Sequence, residues 1–199
     1  MDRHLTPQID LEQYTIPADL AADLLFRACY EFGDIEGKFV LDLGTGTGRL
    51  AIGASILGAE YVIGVDFDKE ALVTAARTGK RLAIGTDWVL ADIQSLRAER
   101  TVDTVIMNPP FGTRHPHADL RFLQIALTLA SVTYSIHKSA TRRHMENWFH
   151  QHECKSQRIM SGKMEIPHQF PFHRKRVGYV EVDVFRTERN QDSSVSALK

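Results

Sequence analysis

Asn108-Pro109-Pro110-Phe111 is the stretch of this chain whose residue types suit a defined chemistry. Two consecutive prolines make a stiff turn and remove two backbone donors, leaving carbonyls that face outward as acceptors. An amide side chain followed by such a carbonyl offers two hydrogen-bond acceptors side by side. That pair suits an exocyclic amine on an aromatic base, a poor nucleophile because its lone pair is delocalised into the ring. Asn108 and the Pro109 carbonyl would accept its two hydrogens and orient the nitrogen, and Phe111 would offer a ring on which the base stacks. No cysteine nucleophile or acid–base dyad is required, because a bound cofactor can carry the electrophile while the protein positions and polarises.

A pocket for such a cofactor is written upstream. Asp42-Leu43-Gly44-Thr45-Gly46-Thr47-Gly48 lies between an apolar run and a small-residue helix. Its glycines allow a tight turn, and the amides at the helix start are donors. The dinucleotide fingerprint is GxGxxG, whereas this is GxGxG with an acid two residues ahead of it. Asp42 would repel a phosphate and attract an ammonium group. Asp66 follows Gly46 by 20 residues, where a ribose diol is expected, and Asp92-Ile93 ends the next apolar run, placed to meet an adenine amino group. Each feature alone has a plainer reading as a turn or a helix cap. Together they describe a pocket for a positively charged adenosine compound, and S-adenosylmethionine fits each part, with Gly44, Gly46, Thr47 and Gly48 as the cradle.

These residues need a frame that brings strand ends together. Helical spacing marks Pro17 to Phe32, Leu50 to Leu57, Lys69 to about Thr78, Leu120 to Ala130 and Thr141 to His152. Apolar runs at Lys38 to Leu43, Tyr61 to Val65, Trp88 to Leu90, Val102 to Met107 and Val132 to Ile136 read as strands, and Arg158 to Ile166 with Val177 to Arg186 as a closing hairpin. The expectation is an α/β, Rossmann-like, seven-stranded, mostly parallel sheet with an antiparallel C-terminal hairpin. At 199 residues it is one domain over 1–189, with a polar tail over 190–199.

Composition bounds the setting. No apolar run approaches the roughly 18 residues of a membrane span, the residues after Met1 lack an apolar stretch so that no secretory signal is expected, and two cysteines make no disulfide framework. A reduced, cytoplasmic location is expected. Net charge is −1, yet residues 137–176 hold nine Lys/Arg against three Asp/Glu, a local +6 that leaves −7 elsewhere. Such a basic segment suits a polyanion, with Lys138, Arg142, Arg143, His173, Arg174, Lys175 and Arg176 as RNA-binding candidates. His150-x-His152-x-Cys154 falls at a helix end where alternate positions diverge, so no metal site is expected.

With both motifs in place the chain resembles the class I S-adenosylmethionine-dependent NPPF-type methyltransferases. It is most similar to the small-subunit rRNA adenine-N6 methyltransferase family, that of methyltransferase-like protein five and its archaeal relatives. Leu11-Glu12-Gln13-Tyr14, Asp42 to Gly48, Asp66, Asp103 to Thr113, Tyr134 to Ser139, Phe172 to Lys175 and Val180 to Phe185 carry the likeness, which spans nearly the whole chain. It implies an RNA substrate with its adenine flipped out, a covering segment over 1–16 that brings Gln13 and Tyr14 onto the cofactor, and a small zinc-ribbon activator protein on the strand of Trp88. One departure is visible: Ile16 separates Thr15 from Pro17, where the family has Thr directly before Pro. Two other functions remain open from sequence: methylation of a protein glutamine amide, and a non-catalytic RNA-binding or assembly module.

Overall fold

The alternation of short apolar runs with helices closes as one seven-stranded sheet. In the computed structural model, residues 14–97, 102–112, 117–167 and 177–189 are described. Helix α1 is Ala18–Phe26 and continues as a π-turn, Arg27–Glu31; then follow β1 (Phe39–Leu43), α2 (Arg49–Ile56), β2 (Tyr61–Asp66), α3 (Lys69–Arg81) and β3 (Asp87–Leu90). The second half holds β4 (Val102–Met107), α4 (Ala118–Leu129), β5 (Ala130–Lys138), α5 (Arg142–Gln151), β6 (Lys155–Pro167) and β7 (Val177–Glu188). The order across the sheet is β3-β2-β1-β4-β5-β7-β6, with β7 antiparallel to both β5 and β6. Every expected element is present, and the α/β sheet with its antiparallel hairpin is the one expected. Ends differ: α3 runs on to Arg81, β5 starts directly where α4 stops, and β6 and β7 pair from Lys155 to Glu188.

Strand alternation sends successive residues to two cores. Val40, Val62, Ile106, Tyr134, Ile136, Val182 and Val184 pack against α1 and α2, while Leu41, Leu43, Val65, Val105, Met107 and Phe185 pack against α4 and α5. At the amino edge of the sheet the π-turn delivers Asp34 beneath three strands. The Asp34 carboxylate accepts from the Tyr134 hydroxyl at 2.6 Å and from Arg186 Nε at 2.8 Å, and its carbonyl accepts from the Thr104 hydroxyl at 2.7 Å. The edge opposite this anchor carries the loops that follow β1, β2, β3 and β4.

The order reverses between β1 and β4, the position where open α/β sheets form their ligand crevice. Behind the loop after β1 stands Trp88. A Cβ on Gly48 would lie 2.5 Å from its Cη2, and a Cβ on Gly64 would lie 2.6 Å from its Cζ3. Gly48 also has φ +81°, so both space and backbone exclude a side chain there. The edge-strand indole thus forms the back wall of the glycine loop. We expect Gly64→Ala to cost about 1–3 kcal/mol in denaturant unfolding, the usual cost of overpacking. Combining it with Trp88→Leu should cost less than the sum of the two single changes, because removing the indole removes the closest clash and leaves that with the Thr45 hydroxyl at 2.9 Å.

Candidate functional site

Where β1 and β4 leave the sheet side by side, the loop 44–48, the acid ends of β2 and β3, and Asn108 line a cleft of about 390 Å³. That volume lies within the range of small-molecule sites. The loop is shaped from behind. Gly44 N and Thr45 N donate to the Val65 carbonyl at 2.9 and 3.0 Å, and Gly48 N to the Thr45 carbonyl at 2.9 Å. Gly44 has φ +69°, and a Cβ there would stand 3.0 Å from Phe122 Cε1, so a bare backbone faces the cleft.

The three strand-end acids have different duties. Asp42 is buried; its Oδ2 accepts from the Thr45 hydroxyl at 2.6 Å and from Ala51 N at 2.9 Å, while its Oδ1 is buried without a partner. Burial pushes its carboxyl up from the ordinary range to about 7, against those two hydrogen bonds and aided by the nearby Asp66 charge. Asp66 holds the loop to β2, accepting from Gly46 N at 2.8 Å and from Asp68 N at 2.9 Å. Burial raises its carboxyl too, in spite of those amides. The Phe67 amide also bonds this carboxylate, which with about four lone-pair sites keeps room for a further hydroxyl donor. Asp92 lines the cleft and also caps the short helix Ile93–Ser95, accepting from Gln94 N at 2.9 Å.

Asn108 is the residue of the tetrapeptide whose polar side chain lines the cleft. Its Nδ2 donates to the Tyr14 carbonyl at 2.7 Å, and its Oδ1 is buried with no partner. Pro110 also lines the cleft, and Pro109 is buried. Phe111 is only 7% exposed. The Tyr14 ring stacks on it at 5.6 Å and 27°, and Lys138 Nζ lies 5.7 Å from its centroid. The ring expected to carry a base carries Tyr14 here. Two buried, orphaned acceptor oxygens, Asp42 Oδ1 and Asn108 Oδ1, on residues that line one cleft suit a ligand with a cationic end and a substrate with N–H donors. This donor set therefore fits S-adenosylmethionine.

Sequence reasoning missed several lining residues. Phe67, 56% exposed, follows Asp66 directly, and an aromatic just after the ribose acid was the signal that could have found it. Arg49, Arg121 and Phe122 also line the cleft. The latter two arrive on α4 by tertiary packing, which no local pattern announces. Gln13, His173, Arg174, Lys175 and Arg176, with most of the covering segment, lie outside the described residues.

The basic segment is smaller in space than along the chain. Arg142 Nε and Nη2 donate to Asp183 at 2.7 and 2.9 Å, and Arg158 lies 3.7 Å from the same carboxylate. Lys155 pairs with Glu188 at 2.9 Å. Both acids come from β7, beyond the window in which the charge was counted. Hairpin pairing thus accounts for Arg142 without a phosphate, whereas Arg143 and Lys163 stay exposed. Among the described residues no group of three His, Cys, Asp or Glu is placed to hold a metal. Within them, no helix is long and apolar enough to cross a membrane.

A methyltransferase domain family matches residues 40–130. The rRNA N(6)-adenosine-methyltransferase METTL5 of Danio rerio is 37% identical over 185 residues, 90% of this chain and 89% of that protein. Its Drosophila melanogaster counterpart is 36% identical over 188 residues, 92% and 88% of the two chains. Among solved structures, a Pyrococcus horikoshii protein proposed to be an RNA methyltransferase is 40% identical and superposes with a TM-score of 0.86, over 95% of this chain and 92% of that one.

The raised carboxyl of Asp42 makes ligand binding pH-dependent. A cation is held by the ionised form, so affinity for S-adenosylmethionine should rise about tenfold per pH unit up to about 7 and then fall again above about 8, where the ligand's own ammonium loses its proton. Titration calorimetry between pH 5.5 and 8.5, roughly bracketing that value, checks this. Asp42→Asn should bind more weakly and flatten the profile. The stability of the empty protein runs the other way: a carboxyl raised by folding favours the fold while protonated, a contribution lost as pH rises through about 7.

Proposed function

Because this chain belongs to the rRNA N6-adenosine methyltransferase family, we propose that it transfers a methyl group from S-adenosylmethionine to the 6-amino nitrogen of an adenosine in small-subunit ribosomal RNA. The observation that carries this reading is the buried, partnerless Asn108 Oδ1 on the wall of the cleft, with its own Nδ2 already held by Tyr14. S-adenosylmethionine supplies an electrophilic methyl group on a sulfonium.

The residues of this chain do the rest. Asp42 Oδ1 holds the ammonium end, the Asp66 carboxylate takes the ribose diol, and Asp92, Ile93 and Phe67 enclose the adenine of the cofactor. Asn108 Oδ1 and the Pro109 carbonyl accept the two hydrogens of the target amine, which draws electron density onto the nitrogen and fixes its line of approach. Phe111 provides the stacking surface for the flipped base, and the Tyr14 ring marks a ring-sized position parallel to it. Gly44, Gly46, Thr47 and Gly48 form the cradle beneath the cofactor, with Gln13 and Tyr14 covering it. Lys138, Arg143 and the bases at 174–176 face RNA phosphates, and His173 contacts the RNA beside them.

A small zinc-ribbon activator is the further partner we propose. Support comes from β3, the last strand of the sheet order, with Val89 and Leu90 exposed along it. A reduced, cytoplasmic setting accords with two free cysteines, Cys29 and Cys154.

Labelled methyl transfer to total RNA and total protein, followed by nucleoside analysis, tests the function. We expect label in N6-methyladenosine, and Asn108→Ala should reduce transfer by at least about a hundredfold, the scale of lost electrostatic preorganisation. Label in protein glutamine or in methylcytidine overturns the reading. Binding of S-adenosylmethionine without any transfer, with or without an added activator, favours the non-catalytic module.

A further inference from the structure

Arg49 has no part in the reaction as set out above, yet it ties the covering segment to the cofactor helix. It opens α2 directly after the glycine loop, lines the cleft, and donates from Nη1 to the carbonyl of Ile16. Two residues earlier in that segment, the Tyr14 carbonyl receives Asn108 Nδ2 at 2.7 Å. Residues 14–17 form no helix or strand of their own. Their place over the tetrapeptide is set by burial of the Tyr14 and Ile16 side chains and by these two bonds.

The orientation of the Asn108 amide follows from where that carbonyl stands. A flipped amide would set Oδ1 against the Tyr14 oxygen at the same 2.7 Å, two acceptors with no proton between them. It would also turn Nδ2, a donor, toward an amine whose hydrogens need an acceptor. Moving the Tyr14 carbonyl away removes a contact that distinguishes the two ends of the amide.

We propose that Arg49 is a positioning residue for methyl transfer: by holding the Ile16 carbonyl it keeps the Tyr14 carbonyl in place, and so keeps Asn108 Oδ1 turned to the substrate. The rate measurement below rests on the adenine-amine reading above, whereas the spectroscopic one is made on the protein without RNA, so failures of the two are distinguishable.

The test uses the full chain with Arg49→Leu and Arg49→Lys. The first readout is the Asn108 side-chain NH2 pair in a ¹⁵N–¹H spectrum, assigned by its loss in Asn108→Ala. The second is kcat at saturating RNA and cofactor, set beside the dissociation constant of S-adenosylmethionine and its binding stoichiometry, which corrects for unfolded protein. In Arg49→Leu we expect the Asn108 pair to move toward the shifts of a free amide. We also expect kcat per binding site to fall roughly ten- to a hundredfold, the scale of a misplaced catalytic group, with cofactor affinity changed by less than about threefold. Arg49→Lys keeps a donor and should restore part of both; it also serves if the leucine variant fails to fold. An unmoved Asn108 signal, or an unchanged kcat, overturns the proposal. So does a tenfold or greater loss of cofactor affinity with kcat preserved, which would make Arg49 a direct ligand of the cofactor carboxylate.

Discussion

The hydrogen bond from Asn108 Nδ2 to the Tyr14 carbonyl is the contact on which the proposed chemistry turns. An asparagine side chain has one acceptor end and one donor end, and only the acceptor suits an amine that must be made more nucleophilic. Folding the N-terminal segment over the end of β4 resolves that ambiguity with a backbone group that no substitution of a side chain removes. Much of the architecture serves this contact. The parallel β1–β4 pair puts the glycine loop beside the tetrapeptide, the buried Tyr14 and Ile16 hold the segment down, and Arg49 reaches to it from α2.

The cleft carries a cost that a purely structural pocket would avoid. Two acceptor oxygens, on Asp42 and Asn108, are buried without partners, and each such group is destabilising by about 1–3 kcal/mol or more. Asp42 shows it most plainly, its carboxyl driven up to about 7 by burial. Stability is made up away from the site, in the Asp34–Tyr134–Arg186 network at the opposite edge and in the long β6–β7 pairing. An unsatisfied site on a tied frame suits a binding pocket for a cation and an N–H donor.

Most of the frame was legible in the sequence because strand runs and helix periods are local properties. Asp42, the glycines, Asp66 and the Asn-Pro-Pro-Phe turn were legible for the same reason: each lies at a strand end, and a doubly wound sheet brings consecutive strand ends together. What could not be read came from contacts between distant segments. Phe122 reaches Gly44 across the sheet edge, Trp88 fills the space behind Gly48 and Gly64, and Tyr14 takes the ring face of Phe111. Some bases of the basic segment meet acids that a window along the chain does not count. Asp183 and Glu188 lie past its end and fold back onto Arg142, Arg158 and Lys155.

The claim that Asn108 presents its oxygen to the target amine is tested most directly by a crystal structure with a bisubstrate compound, adenosine joined through N6 to the S-adenosylmethionine skeleton. The account predicts that N6 lies about 3 Å from Asn108 Oδ1, a normal hydrogen-bond distance, with Nδ2 still on the Tyr14 carbonyl. An N6 that faces Nδ2, or a base seated away from Asn108 altogether, would contradict it.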